Sequence, residues 1–499
     1  MTPQLRLMRQ LAPILASLAL ATNSNAVSLS EKADALSDCL AKASVPLDVP
    51  GSGDWNLDSS PFNLRLNYTP VAIAVPRTAK HVQDSVACAS QVGIKTNAKC
   101  GGHSYASFGL GGEDGHLVIQ MDRMDKVVLD NSTGIATVEG GARLGHLAWE
   151  LYNQGKRAIS HGTCPGVGVG GHVLHGGYGT SSHTKGLALD WIIGATVVLA
   201  NSTIVNCSAT ENPDLFWALR GAGGSMGVVT EFRFETFQAP EELTYFVAPV
   251  QWPTEERALV GLRAVQEIAQ TMPAELNMRL FIGRLFVNLE GLYYGDREGL
   301  ETVLEPLMKK TNATLAMAQT GGWLDQVKHF GGSSNIDQRW PHEEHETFFS
   351  TSLYTKALNE AQLQNFVSYW FKHAKTNTKD WYVQIDLHGG ENSAVARREA
   401  DSTAYAHRDY LLMYLLYDRI DKGTYPVDGH TYMTNFVRNI TDGMDRNDWG
   451  MYINYPDSNL DQASAQVNYW GSHLPRLQAI KKVVDPDNLF HHPQGVLPA

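Results

Sequence analysis

The chain has 499 residues, and its 40 lysines and arginines stand against 52 aspartates and glutamates, a formal net charge of −12. That balance argues against nucleic acid or an anionic membrane surface as a partner, and its plainest reading is solubility. A hydrophobic share of 43% and a charged share of 18% are those of an ordinary globular protein, and the length exceeds what one compact core organises, so two or more folding units are expected.

Residues 1–26 carry Arg6 and Arg9, a largely apolar run from Leu11 to Ala21, and a small-x-small end at Ser24-Asn-Ala26. This is the layout of a secretory signal, and the run is too short to span a bilayer. The best later stretch, Leu187 to Ala200, is broken by Asp190. The expectation is a secreted, extracellular protein without a membrane segment. Sequons at Asn67, Asn131, Asn201, Asn206, Asn312 and Asn439 suit that compartment, with at most one of the close pair Asn201 and Asn206 expected to carry a glycan.

From Lys99 to Gly179 glycine dominates, in loops at 101–102, 109–115 and 162–179. Between them lie short strand-like runs at Leu117–Ile119, Val127–Leu129 and Ile135–Val138, with one helix expected over Arg143–Asn153. Ile192–Val205 reads as two strands joined at Asn201-Ser202, and Gly227–Phe234 as another. Beyond Ala239-Pro240 the pattern changes to longer strands within Leu243–Val250, Arg279–Leu292, Trp381–Leu387 and Tyr410–Tyr417, with helices over Glu255–Gln270 and Glu360–Ala374. The fold class is α+β, in two domains. The expected divisions are 27–240, 241–470 and a segment 471–499, whose Asp485-Pro-Asp-Asn-Leu-Phe490 is turn chemistry.

Five cysteines, Cys39, Cys88, Cys100, Cys164 and Cys207, cannot all pair with one another in an oxidising compartment. Cys164 lies in the most glycine-rich loop, the poorest place for a packing cysteine, and is the candidate for different chemistry. Gly166-x-Gly168-x-x-Gly171 satisfies the dinucleotide fingerprint, and Asp190 follows at the right distance. Yet Ser160 to Pro165 is no buried strand and Leu174 to Gly179 no stable helix, so a Rossmann site is rejected. What these glycines permit is close approach of backbone to a flat or phosphorylated ligand. Two segments embed a reactive side chain among them: Lys99-Cys-Gly-Gly-His103-Ser-Tyr105 and Gly162-Thr-Cys164-Pro-Gly-Val-Gly-Val-Gly-Gly-His172. An imidazole and a thiol so placed suit covalent attachment of a cofactor. A metal set of His103, His161, Cys164 and His172 lacks the tight paired spacing of structural zinc ligands, and no metal is expected.

These motifs, with Asn212 to Ser225, Gly227-Val-Val-Thr230, Asn454-Tyr455-Pro-Asp457 and the C-terminal Asp485 to Phe490, make the chain resemble the berberine-bridge-enzyme-like branch of the vanillyl-alcohol-oxidase flavoproteins. Within that branch it is most similar to the fungal oligosaccharide oxidases, and the resemblance runs over nearly the whole chain after residue 26. It implies an FAD-binding α+β domain at 27–240 and a substrate domain at 241–470 with an antiparallel sheet flanked by helices. Residues 471–499 then return to the FAD domain. It implies FAD bonded through its 8α-methyl carbon to His103 and through ring carbon 6 to Cys164. The cofactor contacts it implies are Gly101, Gly102, Ser104, Tyr105, Gly166, Val167, Gly168, Gly171, His172 and Val229, and the disulfide is Cys39–Cys88. Cys100 and Cys207 stay open between a bridge and two buried thiols.

The resemblance also implies a tyrosine base paired with an aspartate, here Tyr455 and Asp386, with Tyr452 the nearest competitor. A phenol of ordinary pKa near ~10 is a poor neutral-pH base and needs help to release its proton. Substrate contacts are expected from Tyr105, Arg279, Trp381 and Gln384, with Tyr178, Tyr293, Tyr294 and Tyr382 the further aromatics on offer, most of the aromatics being expected in the core. Gln384 and Asp386, two apart on a strand, share a face. Val167, three places after the cysteine, resembles the small gate residue of oxidases, where dehydrogenases carry leucine. The expected reaction is oxidation of the anomeric C1 hydroxyl of xylo-, cello- or related oligosaccharides to the lactone. O2 is the acceptor, H2O2 the second product, and the protein a monomer. The readings set against it are an oxidase or dehydrogenase of a secondary-metabolite alcohol, a flavin-binding protein without activity, and a hydrolase with paired carboxylates, for which no pair is marked.

Overall fold

The structure is a computed structural model and describes residues 28–339 and 344–499. The expected leader at 1–26 lies outside the described residues. The chain enters in the helix Leu29–Lys42, opened by a reciprocal Ser28–Glu31 capping box. A disulfide joins Cys39 on this helix to Cys88 on Ala79–Val92, with their Cα atoms 5.8 Å apart. The second helix starts at the N-cap Thr78 and stops at Gly93, where φ is +68°.

Two small sheets follow. One has four strands in the order Leu47–Asp48, Ala72–Ala74, Leu117–Gln120, Thr96–Lys99; the other has five antiparallel strands in the order Val127–Asp130, Ile135–Glu139, Val228–Glu235, Ile192–Val198, Ile204–Ser208. The glycine loops lie between and beside them. The short strands expected here are all present, and the expected helix is Leu144–Gly155. The dinucleotide-like glycines follow a turn, closed by Val167 N to Cys164 O at 3.2 Å, and lead into the five-residue helix Val169–Val173. That short turn of helix is not the strand-to-helix junction a Rossmann site requires.

An eight-stranded sheet forms the rest. Its order is Met317–Gly321, Leu243–Pro249, Val287–Tyr293, Leu276–Gly283, Asp380–Leu387, Leu412–Ile420, Thr347–Thr355, Trp449–Gly450, antiparallel throughout. The strand content expected over 279–292 is a hairpin turning at 284–286. The expected helix over 360–374 is α-helical to Tyr369 and finishes in a π-helical turn, Trp370–Ala374.

One face of this sheet is dry. Trp381, Val383, Ile385 and Leu387 pack into a core with Leu262, Leu304, Phe366 and Phe436 from the flanking helices. Alternation then sends Tyr382, Gln384 and Asp386 to the other face. The C-terminal segment crosses back to the first small sheet, where Leu489 and Phe490 join a core containing Ala72, Ala74 and Ile119. Its turn is held by Asp485, whose carboxylate accepts from Leu489 N (2.7 Å) and Phe490 N (2.8 Å) and pairs with the equally buried Lys481 at 2.5 Å. A second buried ion pair, Arg408–Asp190 at 2.7 Å, ties the loop before Leu412–Ile420 to the turn before Ile192–Val198.

Candidate active site

The two glycine loops meet backbone to backbone. A Cβ on Gly101 would lie 2.3 Å from the Gly168 nitrogen, and a Cβ on Gly168 would lie 2.3 Å from the Gly101 nitrogen. Neither position admits a side chain without moving main chain, while Gly102, at φ +71°, holds a left-handed conformation that favours glycine. Arg143 braces the junction from behind, donating to Gly101 O at 3.0 Å and to Gly166 O at 2.5 Å.

In front of the junction is a cavity of about 330 Å³, walled on one side by these loops and on the other by the open face of the eight-stranded sheet. Of the residues expected at the cofactor, Gly101, Gly102, His103, Ser104, Tyr105, Cys164, Val167, Gly168, Gly171, His172 and Val229 border it. Arg279, Gln384 and Asp386 border it from the sheet, and Tyr455 from the loop that follows Trp449–Gly450. Two expectations are corrected. Gly166 lies behind the cavity wall, where its carbonyl is engaged by Arg143 and backs Gly101. Trp381, with 1% of its surface exposed, is core on the helix-covered face, because its parity on the strand is opposite to that of Gln384. The aromatic residue that this strand brings to the cavity is its neighbour Tyr382.

The His103 ring stacks on Phe62, with centroids 3.8 Å apart and planes at 25°. Of the three unpaired cysteines, Cys164 is exposed while Cys100 and Cys207 are buried. Burial pushes each of those two thiols up to about 11, so they stay protonated and inert. His172 supports the Cys164 loop: its Nε2 accepts from Gly162 N at 2.9 Å, and burial beside His161 and His175 lowers its pKa to about 3, which keeps it a neutral acceptor.

The opposite wall is a polar row across three strands. Asp386 faces Arg279, and Arg279 faces Glu290, in direct register. Arg279 pairs with Glu290 at 2.5 Å, and Gln384 Nε2 donates to Asp386 Oδ2 at 2.7 Å. Burial raises the Asp386 carboxyl to about 6, against the opposing pull of Arg279 and the Gln384 hydrogen bond. Tyr455 comes from a loop fixed on several sides. Ser350 Oγ donates to Pro456 O (3.1 Å), Arg65 to Ser458 Oγ (2.6 Å), Gln494 to Asp457 O (2.7 Å) and Asn454 to His172 O (3.2 Å). Its phenol is raised well above the ordinary tyrosine value, by burial first and then by the charge of Asp386. The competitor Tyr452 is already committed: its oxygen accepts from Gly177 N (2.8 Å), Tyr178 N (3.3 Å) and Asn454 Nδ2 (3.0 Å).

These residues fit FAD. A Cβ on Gly171 meets nothing within 4 Å, so the loop presents open backbone to the cavity. The lining joins Asn97 of the first small sheet and Phe490 and His492 of the C-terminal segment to Tyr382 of the large sheet. His492, buried, lines the cavity with Nδ1 unpartnered. Nothing in the sequence around it marked His492, whereas Tyr382 shares the two-residue alternation of Gln384 and Asp386.

Residues 70–208 match the family described as FAD binding domain, and residues 451–497 the family described as berberine and berberine like. The xylooligosaccharide oxidase of Thermothelomyces thermophilus is 50% identical over 474 residues, covering 94% of this chain and 95% of its own length. The chitooligosaccharide oxidase of Gibberella zeae is 44% identical, with 94% and 95% covered. Among solved structures, xylooligosaccharide oxidase from Myceliophthora thermophila C1 in complex with xylobiose superposes with a TM-score of 0.92 at 50% identity, over 93% of this chain and 99% of that one. Glucooligosaccharide oxidase from Acremonium strictum, which carries a 6-S-cysteinyl, 8α-N1-histidyl FAD, superposes with a TM-score of 0.91 at 44% identity, over 93% and 99%. The chain belongs to the berberine-bridge-like family of FAD-linked oxidoreductases.

Proposed function

We propose that the protein oxidises the anomeric C1 hydroxyl at the reducing end of an oligosaccharide to the lactone, with O2 reduced to H2O2. One juxtaposition carries the reading: Tyr455 and Asp386 border the same cavity as His103 and Cys164. The likeness to xylo- and chitooligosaccharide oxidases supports a sugar as substrate. His103 and Cys164 are the residues that hold FAD covalently, and the bound flavin supplies the hydride acceptor for C1, regenerated by O2.

Tyr455 takes the proton of the C1 hydroxyl while passing its own phenolic proton toward Asp386. A phenol raised this far does not ionise by itself at neutral pH, so the carboxylate acts as the terminal acceptor. Arg279 and Gln384 hold Asp386 in its charged form and offer donors to ring hydroxyls. Tyr105, whose ring lies parallel to Tyr455 at 6.0 Å, gives an aromatic face for the sugar. Val167, half-buried at the cavity, leaves room for O2 where a leucine would fill it.

In this reading 27–240 with 471–499 hold FAD, and 241–470 hold the sugar. Residues 1–26 direct secretion; Asn67, Asn131, Asn201 and Asn312 are exposed and suit glycans. Asn439 suits one less well, being half-buried in a helix with its amide donated to Asn435 O at 2.8 Å. No helix among the described residues is long and apolar enough to cross a membrane. The test is a panel of xylo-, cello- and chito-oligosaccharides assayed for H2O2 and, separately, for dye reduction. Peroxide from at least one series supports the proposal; dye reduction without peroxide contradicts the oxidase assignment, and no turnover of any sugar contradicts the substrate class.

A further inference from the structure

Gly101-Gly102 leads into His103, with Gly102 at φ +71°. A side chain at the end of a glycine turn takes its direction from what packs against it. Against His103 packs Phe62, a residue of neither glycine loop and no part of the cavity wall. The two rings lie 3.8 Å apart at 25°. Phe62 is in turn near-parallel to Tyr105 (6.0 Å, 19°), and Tyr105 to Tyr455 (6.0 Å, 18°). One row of rings therefore runs from the histidine proposed to hold the flavin to the tyrosine proposed to act on the sugar.

Phe62 is held from the large sheet. Glu346, the residue before the strand Thr347–Thr355, donates its N–H to Phe62 O at 2.9 Å, and its carbonyl accepts from Leu64 N at 2.9 Å. Asn63 and Glu346 form a parallel β-bridge there. His345 Nδ1 donates to Pro61 O at 2.7 Å, and Arg65 Nε to Phe348 O at 2.8 Å. Phe348 also meets the Phe62 ring edge-on at 5.6 Å. The same segment grips the His103 loop by its main chain: Asn63, fully buried, donates from Nδ2 to Tyr105 O at 2.7 Å. With Phe62 fixed by its neighbours, stacking fixes the plane of the imidazole. A ring nitrogen bonds along its in-plane lone pair, so the plane decides where that nitrogen aims. Orientation of this kind is worth large factors in the rate of bond formation.

We infer that Phe62 is the positioning residue for covalent attachment of FAD at His103 and acts separately from the attachment at Cys164; this rests on the two attachments proposed above. In the His103 bond the imidazole gives up its N–H proton and the 8α carbon of the flavin one of its C–H protons. The two electrons enter the flavin and leave to O2, which takes up both protons as H2O2. The test uses Phe62→Leu, which keeps an apolar side chain without a ring, and Phe62→Tyr, which keeps the ring. Peptide mass spectrometry reads the share of chains with flavin on each residue. In Phe62→Leu the share on His103 is expected to fall about five- to tenfold, the scale of one lost aromatic contact. The Cys164 bond and the ratio of flavin to protein absorbance stay as in wild type, and Phe62→Tyr retains the His103 bond. Combined with Cys164→Ala, Phe62→Leu then releases its flavin on denaturation. Full His103 attachment in Phe62→Leu, loss of both bonds together, or a Phe62→Tyr protein as defective as Phe62→Leu overturns the role of Phe62. A wild-type protein with no flavin on the His103 peptide overturns the attachment itself instead.

Discussion

At the residue scale the account depends on how Asp386 is charged. Its carboxyl is raised to about 6 by burial and held from rising further by Arg279 and Gln384. The proposed mechanism needs the carboxylate, so turnover is expected to fall as pH drops through about 6. Arg279→Gln removes a positive neighbour, raises the carboxyl further, and moves the acidic limb of the kcat profile to higher pH. A limb that stays in place or moves down contradicts this electrostatic role. Tyr455→Phe and Asp386→Asn are each expected to lower kcat by ~10²–10⁴-fold, the usual scale for a lost acid–base group, with flavin content intact. Tyr452→Phe leaves Gly177 N and Tyr178 N without their acceptor, and loses about 1–3 kcal/mol of stability in a thermal melt without moving the pH profile. If Tyr452→Phe stops turnover and Tyr455→Phe does not, the two assignments are exchanged. The same strand shows where sequence reading succeeded and failed. Two-residue alternation put Gln384 and Asp386 on one face, yet the same rule excludes Trp381 and selects Tyr382. Composition draws attention to both aromatics; parity decides between them.

At the element scale the glycine loops were the most legible feature, because only close backbone approach explains so many glycines around one histidine and one cysteine. The sequence did not reveal that the two loops support each other through Gly101 and Gly168, a contact between positions 67 residues apart. Gly168→Ala forces a Cβ into the Gly101 backbone, and flavin incorporation is expected to fail; the ratio of flavin to protein absorbance reads this directly. A fully flavinylated Gly168→Ala protein would show that the junction is not needed to form the site. The hairpin at 284–286 is legible only as strand content, since Arg284-Leu-Phe286 contains none of the usual turn residues.

At the scale of the whole molecule, the change of texture near Ala239-Pro240 coincides with the passage from the small sheets to the eight-stranded sheet. The return of the C-terminal segment is an expectation of the resemblance. Its physical basis, a buried Lys481–Asp485 pair that organises the turn before Leu489 and Phe490, emerges only in three dimensions. Fold class and reactive pair were thus legible because local composition carries them. The cavity, which needs the 101–105 and 162–172 loops, the 380–387 strand and the 451–457 loop together, was not, since it is assembled from segments far apart in the chain. The central claim is that His103 and Cys164 both bond one FAD. Proteolysis of the denatured protein followed by mass spectrometry tests it most directly. The account predicts the His103 and Cys164 peptides joined through a single flavin, with Cys164→Ala leaving flavin on the His103 peptide alone. Flavin released on denaturation of the wild-type protein, with both peptides unmodified, would contradict it.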